Sequence, residues 1–211
     1  ASIDEKGKDA VSIYGSGQWS IPDGYAASKF FKGCIGTNNV EANARLCMAS
    51  AVTGCLTTFG LDEPMGCYED IDNADVFITW GNNMAEMHPV LFSRMLANRK
   101  SKTDVKIIDL TTRSTRSSLA ADKSIIFNPQ SDLAIANAIC HEIIKNNWVN
   151  QDFVTKHVSF HKGKTNIGYG TEDHFKFKDK QENVDFEAFK TFLADYTPEI
   201  AEKISGVSAE D

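Results

Sequence analysis

The chain has 211 residues, a formal net charge of −7 and a charged-residue content of 24%. Nonspecific nucleic-acid binding needs a dense lysine and arginine surface, so this acidic balance argues against nucleic acid as a partner. An anionic ligand stays open, because backbone N–H groups bind anions without any net positive charge. No apolar run in the sequence approaches the roughly 20 residues that a membrane-spanning helix requires.

The cysteines are odd in number and include no Cys-x-x-Cys pair. They are Cys34, Cys47, Cys55, Cys67 and Cys140. This spacing supports neither a disulfide framework nor a zinc or iron–sulfur motif within the chain. Cysteine is among the most often buried residue types, so packing is the expected role of all except Cys47. The charged first residues do not resemble a signal peptide, and we expect both ends to be cut from a longer protein.

The first third of the chain is predicted to form one strand and two helices. Residues 11–15 have the pattern of a short strand that ends in a Gly-Ser-Gly turn. Pro22 favours the first turn of a helix over residues 22–31. A polar loop over residues 37–43 then leads into an apolar helix over residues 46–59.

Strands and helices alternate in the rest of the chain. Continuous apolar runs predict strands over residues 75–80, 106–109 and 124–127. Helical spacing predicts helices over residues 88–99, 131–145, 184–196 and 198–204. Residues 160–181 are polar and are predicted to be a surface loop or insertion. The alternation predicts an α/β fold, a single three-layer α/β/α domain over residues 1–211 with a mostly parallel sheet.

Chemically unusual segments follow the predicted strands. They cover residues 15–18, 80–87, 111–115 and 130–132. Ligands of α/β proteins bind where the carboxyl ends of parallel strands meet, so we expect one binding edge. The glycines of that edge do not form a dinucleotide fingerprint, because Ser20 stands where Gly-x-Gly-x-x-Gly requires its third glycine. A nicotinamide dehydrogenase is therefore not expected.

Each segment has a structural and a chemical interpretation, and both stay open at this point. The amides of Asn82 and Asn83 suit either the edge of a heterocycle or a simple turn. The hydroxyls and arginine of residues 111–115 suit either a phosphate or a solvated loop. Asp132 either stabilises a helix N-terminus or accepts two hydrogen bonds from a guanine. Cys47, just before an apolar helix, is either packed or a readily ionised metal ligand.

In combination, these motifs resemble the catalytic subunits of periplasmic nitrate reductases, which belong to the dimethyl sulfoxide reductase superfamily. The resemblance runs from about Val11 to Tyr196. It is carried by the motifs GSGQW, GYAASK, NARLCMASA, FGLDEPMGCY, WGNNMAEMHP and PQSDLA, which begin at residues 15, 24, 43, 59, 80 and 129. It implies a molybdopterin-guanine-dinucleotide-binding domain of the α/β class.

The resemblance also implies roles for particular residues. Cys47 is implied to be the thiolate ligand of molybdenum, and Met48 to pack close to the metal and shape substrate access. The implied cofactor contacts are Gln18, Asn43, Trp80, Gly81, Asn82, Asn83, Met84, Ala85, Glu86, Met87, Thr111, Thr112, Arg113, Ser114, Thr115, Gln130, Ser131 and Asp132. The implied reaction is two-electron reduction of nitrate to nitrite at a molybdenum-bis(molybdopterin guanine dinucleotide) centre.

Further implications concern the whole enzyme. The resemblance places the enzyme in the periplasm with a c-type cytochrome subunit as electron donor, and it places a [4Fe-4S] cluster outside this chain. We expect the isolated domain to be inactive.

Three alternatives are weighed against nitrate reduction. A formate dehydrogenase of this superfamily would be expected to carry an arginine after its metal-ligating cysteine or selenocysteine, with a histidine nearby. Here Met48 and Ala49 follow Cys47, which favours nitrate. An assimilatory nitrate reductase shares the architecture. A non-catalytic α/β binding module is disfavoured because Cys47 and residues 130–132 are both present.

Overall fold

The computed structural model describes residues 2–63, 65–162 and 182–211. The chain forms two compact units, Ala1–Cys67 and Tyr68–Asp211. Each unit contains parallel strands together with helices, so the predicted α/β class is confirmed. The division into two compact units does not test whether residues 1–211 form a single domain, so that statement stays a prediction. Residues 163–181, which make up most of the predicted polar insertion, lie outside the described residues.

The first unit is built from short elements. Its helices are α1 (Ser2–Lys6), α2 (Ile21–Ser28), α3 (Ala44–Cys47) and α4 (Ala49–Phe59), with a 3-10 turn at Lys8–Ala10 and a π-helix at Lys29–Ile35. Strands β1 (Ile13–Gly15) and β2 (Val40–Ala42) pair in parallel. The Ser20 hydroxyl accepts a hydrogen bond from the Asp23 N–H and caps α2.

Two predictions for this unit are corrected by the structure. The polar loop predicted over residues 37–43 contains strand β2, in which Glu41 lies opposite Tyr14 of β1. The single helix predicted over residues 46–59 is divided between α3 and α4. Met48 separates them because its backbone is not helical, with φ of −124° and ψ of −16°.

A three-stranded parallel sheet organises the second unit. Its strands are β3 (Val76–Trp80), β4 (Lys106–Thr111) and β5 (Lys123–Ile126), in the order β3-β4-β5. The register places Trp80 opposite Leu110, and Leu110 opposite Ile125. β4 is therefore the central strand, and its apolar residues account for its burial on both faces.

Helices and a small hairpin-like pair complete the second unit. The helices are α5 (Asp70–Asn73), α6 (Met84–Met87), α7 (Pro89–Ser101), α8 (Asp132–Lys145), α9 (Gln151–His157), α10 (Phe186–Leu193) and α11 (Pro198–Ser205), with a 3-10 turn at Ser118–Ala120. Strands β6 (Phe160–Lys162) and β7 (Glu182–Val184) pair antiparallel. Residues 160–162 of the predicted surface loop thus belong to a strand. In the described parts of the chain, no helix is long and apolar enough to cross a membrane.

The core of the second unit lies on both faces of β4. On one face, Leu110 packs with Phe127 and with Ile135 of α8. Side chains alternate along a strand, so Ile107 and Asp109 point to the opposite face. Met95 of α7 borders that side and is 1% exposed. Residues of α8 and α7 therefore lie on different sides of β4, and the carboxyl ends of the strands are left to the connecting loops.

Candidate functional site

The segment after β3 begins with a turn at Gly81. Its backbone φ is +62°, which a glycine adopts without steric cost. Its N–H donates to the carbonyl of Leu110 across 2.7 Å, so the segment leaves the sheet in contact with the end of β4. Asn82 and Asn83 follow and are half-buried, and α6 then carries residues 84–87.

The segments after β3 and β4 are held together by polar side chains. The Ser117 hydroxyl accepts the Ala85 N–H at 2.9 Å and donates to Asn83 Oδ1 at 3.4 Å. The Asn83 side-chain amide donates to Glu86 Oε2 at 2.8 Å. Arg116 forms an ion pair with Glu86, with Nε and Oε1 3.3 Å apart. The contacts of the segment after β3 therefore come from Arg116 and Ser117, which follow the predicted segment of residues 111–115.

Residues 111–115 are divided between buried and exposed positions. Thr111, the last residue of β4, is 6% exposed, and its hydroxyl donates to the Arg113 carbonyl at 2.9 Å. Thr112, Arg113 and Ser114 are exposed. The Thr115 N–H donates to the Ser118 hydroxyl at 2.9 Å. The exposed side chains of Thr112, Arg113 and Ser114 are therefore accessible to a ligand. The Thr111 hydroxyl is instead occupied by the hydrogen bond within its own turn.

The third segment lies between β5 and α8. Gln130 is exposed with φ of +70°, a left-handed conformation that is uncommon for a non-glycine residue. Ser131 is 3% exposed, and its hydroxyl donates to the Asn128 carbonyl at 2.6 Å. Asp132 is exposed at the start of α8, and its Oδ1 accepts the indole N–H of Trp80 at 3.0 Å. This hydrogen bond joins the third segment to the end of β3.

In the first unit, Asn43 organises the turn after β1. Its N–H donates to the Gly15 carbonyl at 2.8 Å, and its Oδ1 accepts the Gly17 N–H at 2.6 Å. The Gln18 N–H donates to the Ser16 hydroxyl at 3.0 Å, so the Gln18 side chain leaves an ordered turn. Gln18 and Asn43, both predicted cofactor contacts, thus lie at the same turn, which Asn43 holds through Gly15 and Gly17.

Cys47 belongs to the same group in the first unit. Its N–H donates to the Asn43 carbonyl at 3.1 Å, and its thiol is free and exposed. It is the last residue of α3 and precedes α4 by two positions, so it lies just before an apolar helix as predicted. Met48, 45% exposed, is next to it. An exposed thiol beside an exposed thioether is accessible to a soft metal from outside the protein.

The remaining cysteines differ in exposure. Cys34 and Cys67 are exposed, and Cys55 and Cys140 are half-buried. Burial raises the pKa of the Cys140 thiol, which favours its neutral, packing form. Packing stays a prediction for these four residues. Among the described residues, no group of three or more His, Cys, Asp or Glu side chains could hold a metal ion.

The sequence analysis did not identify Ser117 and Asp109, two buried residues that hold the strand-end loops of the second unit in place. Ser117 is 2% exposed and holds the segment after β3, and Asp109 is 0% exposed. The Asp109 carboxylate accepts the Thr79 hydroxyl at 2.6 Å and the Ser118 hydroxyl at 2.5 Å. An aspartate inside an apolar strand is the sequence signal for such a support, because a buried carboxylate requires hydrogen-bonding partners. No comparable sequence signal distinguishes Ser117 from the neighbouring serines and threonines.

Two groups of predicted residues result, one in each unit. The parallel sheet, its helices and its polar strand-end loops define an α/β domain, a class of protein in which ligands bind at the carboxyl ends of the strands. The sequence matches the molybdopterin oxidoreductase family over residues 1–204, and the chain belongs to that family. Membership implies a molybdopterin cofactor.

A solved structure supports the same fold. The chain is similar to acetylene hydratase from Pelobacter acetylenicus, with a TM-score of 0.64 and 18% sequence identity. The match covers 99% of this chain and 24% of that enzyme, so the chain spans about a quarter of its length. At this identity the likeness concerns the fold alone.

Proposed function

We propose that this chain is part of the catalytic subunit of a periplasmic nitrate reductase. In this proposal it binds molybdenum-bis(molybdopterin guanine dinucleotide) and supplies Cys47 as the protein ligand of the metal. The observation that carries the proposal is the exposed, free cysteine Cys47, whose backbone N–H donates to the Asn43 carbonyl and which is followed by Met48. Family membership supports the molybdopterin, and the motifs around Cys47 and Asp132 support the guanine dinucleotide form and nitrate.

The donor set of the chain fits such a cofactor. Cys47 offers a single soft sulfur, which suits a metal whose other ligands come from the cofactor itself. Asp132 keeps its second carboxylate oxygen without a hydrogen bond to the described residues, and guanine offers N–H groups to such an oxygen. Arg113 and its exposed hydroxyl neighbours suit a diphosphate.

Each group then has a distinct task. Bound molybdenum supplies the two electrons that convert nitrate, with two protons, to nitrite and water. Cys47 fixes the metal to the chain, and Met48 beside it narrows the approach of the substrate. The strand-end segments of the second unit hold the nucleotide part of the cofactor, which orients the reacting end.

The proposal extends to parts outside this chain. Electrons are proposed to reach the metal through a [4Fe-4S] cluster elsewhere in the enzyme, from a c-type cytochrome subunit in the periplasm. Anaerobic mixing of the reduced cytochrome with the enzyme and nitrate tests this donor. Oxidation of the haem that requires nitrate would support it, and a cytochrome that stays reduced while a dye donor is oxidised would contradict it.

Nitrate-dependent oxidation of a reduced viologen dye by the native enzyme tests the central proposal. Cys47→Ala is expected to abolish turnover and to lower the molybdenum content. Cys34→Ala is the matched control, because Cys34 is also an exposed free cysteine of the first unit. This control is expected to keep both properties.

The outcomes separate nitrate reduction from its alternatives. Turnover that survives in Cys47→Ala would contradict the role of Cys47. A molybdenum-loaded wild type that reduces no nitrate but oxidises formate would replace the proposed reaction by formate dehydrogenation. A wild type without molybdenum would favour the non-catalytic binding module.

A further inference from the structure

The helical turn that carries Cys47 is not held in place by core packing. Helix α3 is a single turn of four residues, and none of its residues is buried. Helix α4, which follows it, has no buried residue either. An isolated helix as short as α3 is not stable in water, so contacts from outside the turn must hold it. Its position therefore depends on hydrogen bonds to Asn43, the residue just before it.

Asn43 connects this turn to the end of strand β1. Its N–H donates to the Gly15 carbonyl at 2.8 Å, and its Oδ1 accepts the Gly17 N–H at 2.6 Å. Its own carbonyl accepts the N–H groups of Leu46 and Cys47, each at 3.1 Å. One residue thus links the strand to the backbone of the metal-ligand candidate.

Tyr14 makes a further bond to the same carbonyl. Its hydroxyl donates to the Asn43 carbonyl oxygen at 3.3 Å, although the two residues are 29 positions apart. Among the described residues, this is the only hydrogen bond of the Tyr14 hydroxyl. Tyr14 lies in the middle of β1 and is 57% exposed, so burial in a core does not explain the tyrosine. The hydroxyl instead restrains the carbonyl to which the Cys47 N–H is bonded.

We infer that Tyr14 is a positioning residue for the metal ligand: by holding the Asn43 carbonyl, it fixes the turn that presents Cys47 to molybdenum. This inference rests on the proposed function and deepens it. Tyr14 contacts the backbone of the turn, so it acts through Asn43 and Cys47. Groups that orient a metal ligand also tune the bound metal, which gives Tyr14 a role beyond stability.

Hydrogen exchange of the native enzyme, followed by mass spectrometry, tests the link between Tyr14 and the turn. Tyr14→Phe removes the hydroxyl and keeps the ring. We expect the N–H groups of residues 46–48 to exchange about three- to tenfold faster, the effect of losing one hydrogen bond on a local opening equilibrium. Exchange in α2 should stay unchanged. Acceleration throughout the first unit would show a general loss of stability and would overturn the inference.

Tyr25→Phe is the matched control. Tyr25 is also an exposed tyrosine of the first unit, and its hydroxyl has no hydrogen bond to the described residues. This variant is expected to leave the exchange of residues 46–48 at the wild-type rate. Equal acceleration in Tyr14→Phe and Tyr25→Phe would overturn the assignment of Tyr14.

Electron paramagnetic resonance of the partly reduced native enzyme tests the effect on the metal. The spectrum of molybdenum depends on the arrangement of its ligands, so it responds to the orientation of Cys47 and not to the stability of the chain. Tyr14→Phe is expected to shift the g values, and Tyr25→Phe to keep the wild-type spectrum. A Tyr14→Phe spectrum identical to that of the wild type would overturn the inference.

The same spectra separate this inference from the proposed function. A wild type without a molybdenum signal, or a Cys47→Ala variant with the wild-type spectrum, would contradict the proposed metal ligand and, with it, this inference. A spectrum that changes in Cys47→Ala but stays unchanged in Tyr14→Phe would contradict only the role of Tyr14.

Discussion

The Trp80 indole N–H donates to Oδ1 of Asp132 across 3.0 Å, and the two residues are 52 positions apart in the chain. Trp80 ends β3 and Asp132 begins α8, so one hydrogen bond spans the strand-end edge of the sheet. Trp80 also packs against the core cluster of Leu110, Phe127 and Ile135. The carboxylate of Asp132 is therefore oriented by a ring whose own position is fixed by the core.

Substitution of Asp132 separates ligand binding from stability. Asp132→Asn keeps an oxygen for the Trp80 indole but places an NH2 group where guanine N–H groups would donate. We expect a severalfold loss of retained GMP, the nucleotide that acid hydrolysis of a bound guanine dinucleotide cofactor releases. The free energy of unfolding is expected to change by less than about 1 kcal/mol. GMP content after dialysis and urea unfolding followed by circular dichroism measure the two quantities.

Trp80→Phe is the complementary variant. It keeps an aromatic ring in the core cluster but removes the hydrogen bond to Asp132, so we expect a loss of about 1 kcal/mol in unfolding free energy. An Asp132→Asn variant that keeps its GMP would contradict direct binding by the carboxylate, whatever Trp80→Phe does to stability.

The sequence was sufficient to predict the elements of the second unit because their apolar patterns are long. The strands predicted over residues 75–80, 106–109 and 124–127 correspond to β3, β4 and β5 within a few residues. The helix predicted over residues 131–145 corresponds to α8. The short strand β2 was not predictable, because three residues give no clear period and its pairing with β1 depends on the tertiary fold.

The candidate site was predictable only as a set of strand-end segments. Parallel strands bring their carboxyl ends together, which is why residues 80–87 and 130–132 meet through Trp80 and Asp132. The hydrogen bonding of Asn83, as distinct from its neighbour Asn82, was not predictable. It depends on which amide Ser117 and Glu86 reach in three dimensions, and adjacent asparagines look alike in a sequence.

The ring of Trp19 lies directly over Gly15. A β-carbon placed on Gly15 would lie 2.3 Å from the ring atom Cη2, far inside van der Waals contact. Gly15→Ala therefore forces the indole outward, and we expect a loss of about 1–3 kcal/mol in unfolding free energy. Urea unfolding measures the loss, and a red shift of tryptophan emission reports the greater exposure of the ring.

Gly54→Ala is the control for Gly15→Ala. Gly54 lies inside α4, and a β-carbon there would meet no atom within 4 Å. Alanine has the higher helix propensity, so we expect this variant to gain about 0.5–1 kcal/mol. A Gly15→Ala variant that also gains stability would show that the Trp19 ring does not constrain this position.

The carboxylate of Asp109 holds two residues near the carboxyl ends of the strands by hydrogen bonds. Its buried carboxylate accepts hydrogen bonds from Thr79 and from Ser118, the residue after Ser117. Asp109→Ala leaves both hydroxyls without their acceptor, and we expect a loss of about 2–4 kcal/mol in unfolding free energy. Asp109→Asn keeps one acceptor oxygen and is expected to lose about half as much. Urea unfolding of the two variants gives the comparison.

A double-mutant cycle makes this prediction specific. Combining Asp109→Ala with Ser118→Ala is expected to reveal a coupling of about 1–2 kcal/mol, because the two side chains form one hydrogen bond. Ser124→Ala is the control, since Ser124 lies opposite Asp109 on β5 but is exposed. We expect the control to change stability by less than about 0.5 kcal/mol. If the losses of unfolding free energy in Asp109→Ala and Ser118→Ala simply add in the double variant, the two side chains are not coupled, and the supporting role of their hydrogen bond is contradicted.

Asp122 joins α7 to the start of the central strand. Its Oδ2 accepts the Ile107 N–H at 2.8 Å, and its Oδ1 accepts from Arg99 at 2.8 Å. The hydrogen bond from Ile107 and, after it, the positive charge of Arg99 lower the pKa of this carboxyl below its usual range. The folded protein therefore holds Asp122 ionised at a pH where the unfolded chain begins to bind a proton.

The lowered pKa of Asp122 predicts a definite acid dependence. The stabilisation is fully present above about pH 4, the usual pKa of an aspartate, and is lost as the pH falls through the lower folded-state value. Asp122→Asn removes the titrating group, so the unfolding temperature should fall less steeply with acid below about pH 4 than in the wild type. Thermal unfolding followed by circular dichroism at a series of pH values measures the slope. Identical slopes for wild type and Asp122→Asn would contradict the assignment of this acid dependence to Asp122.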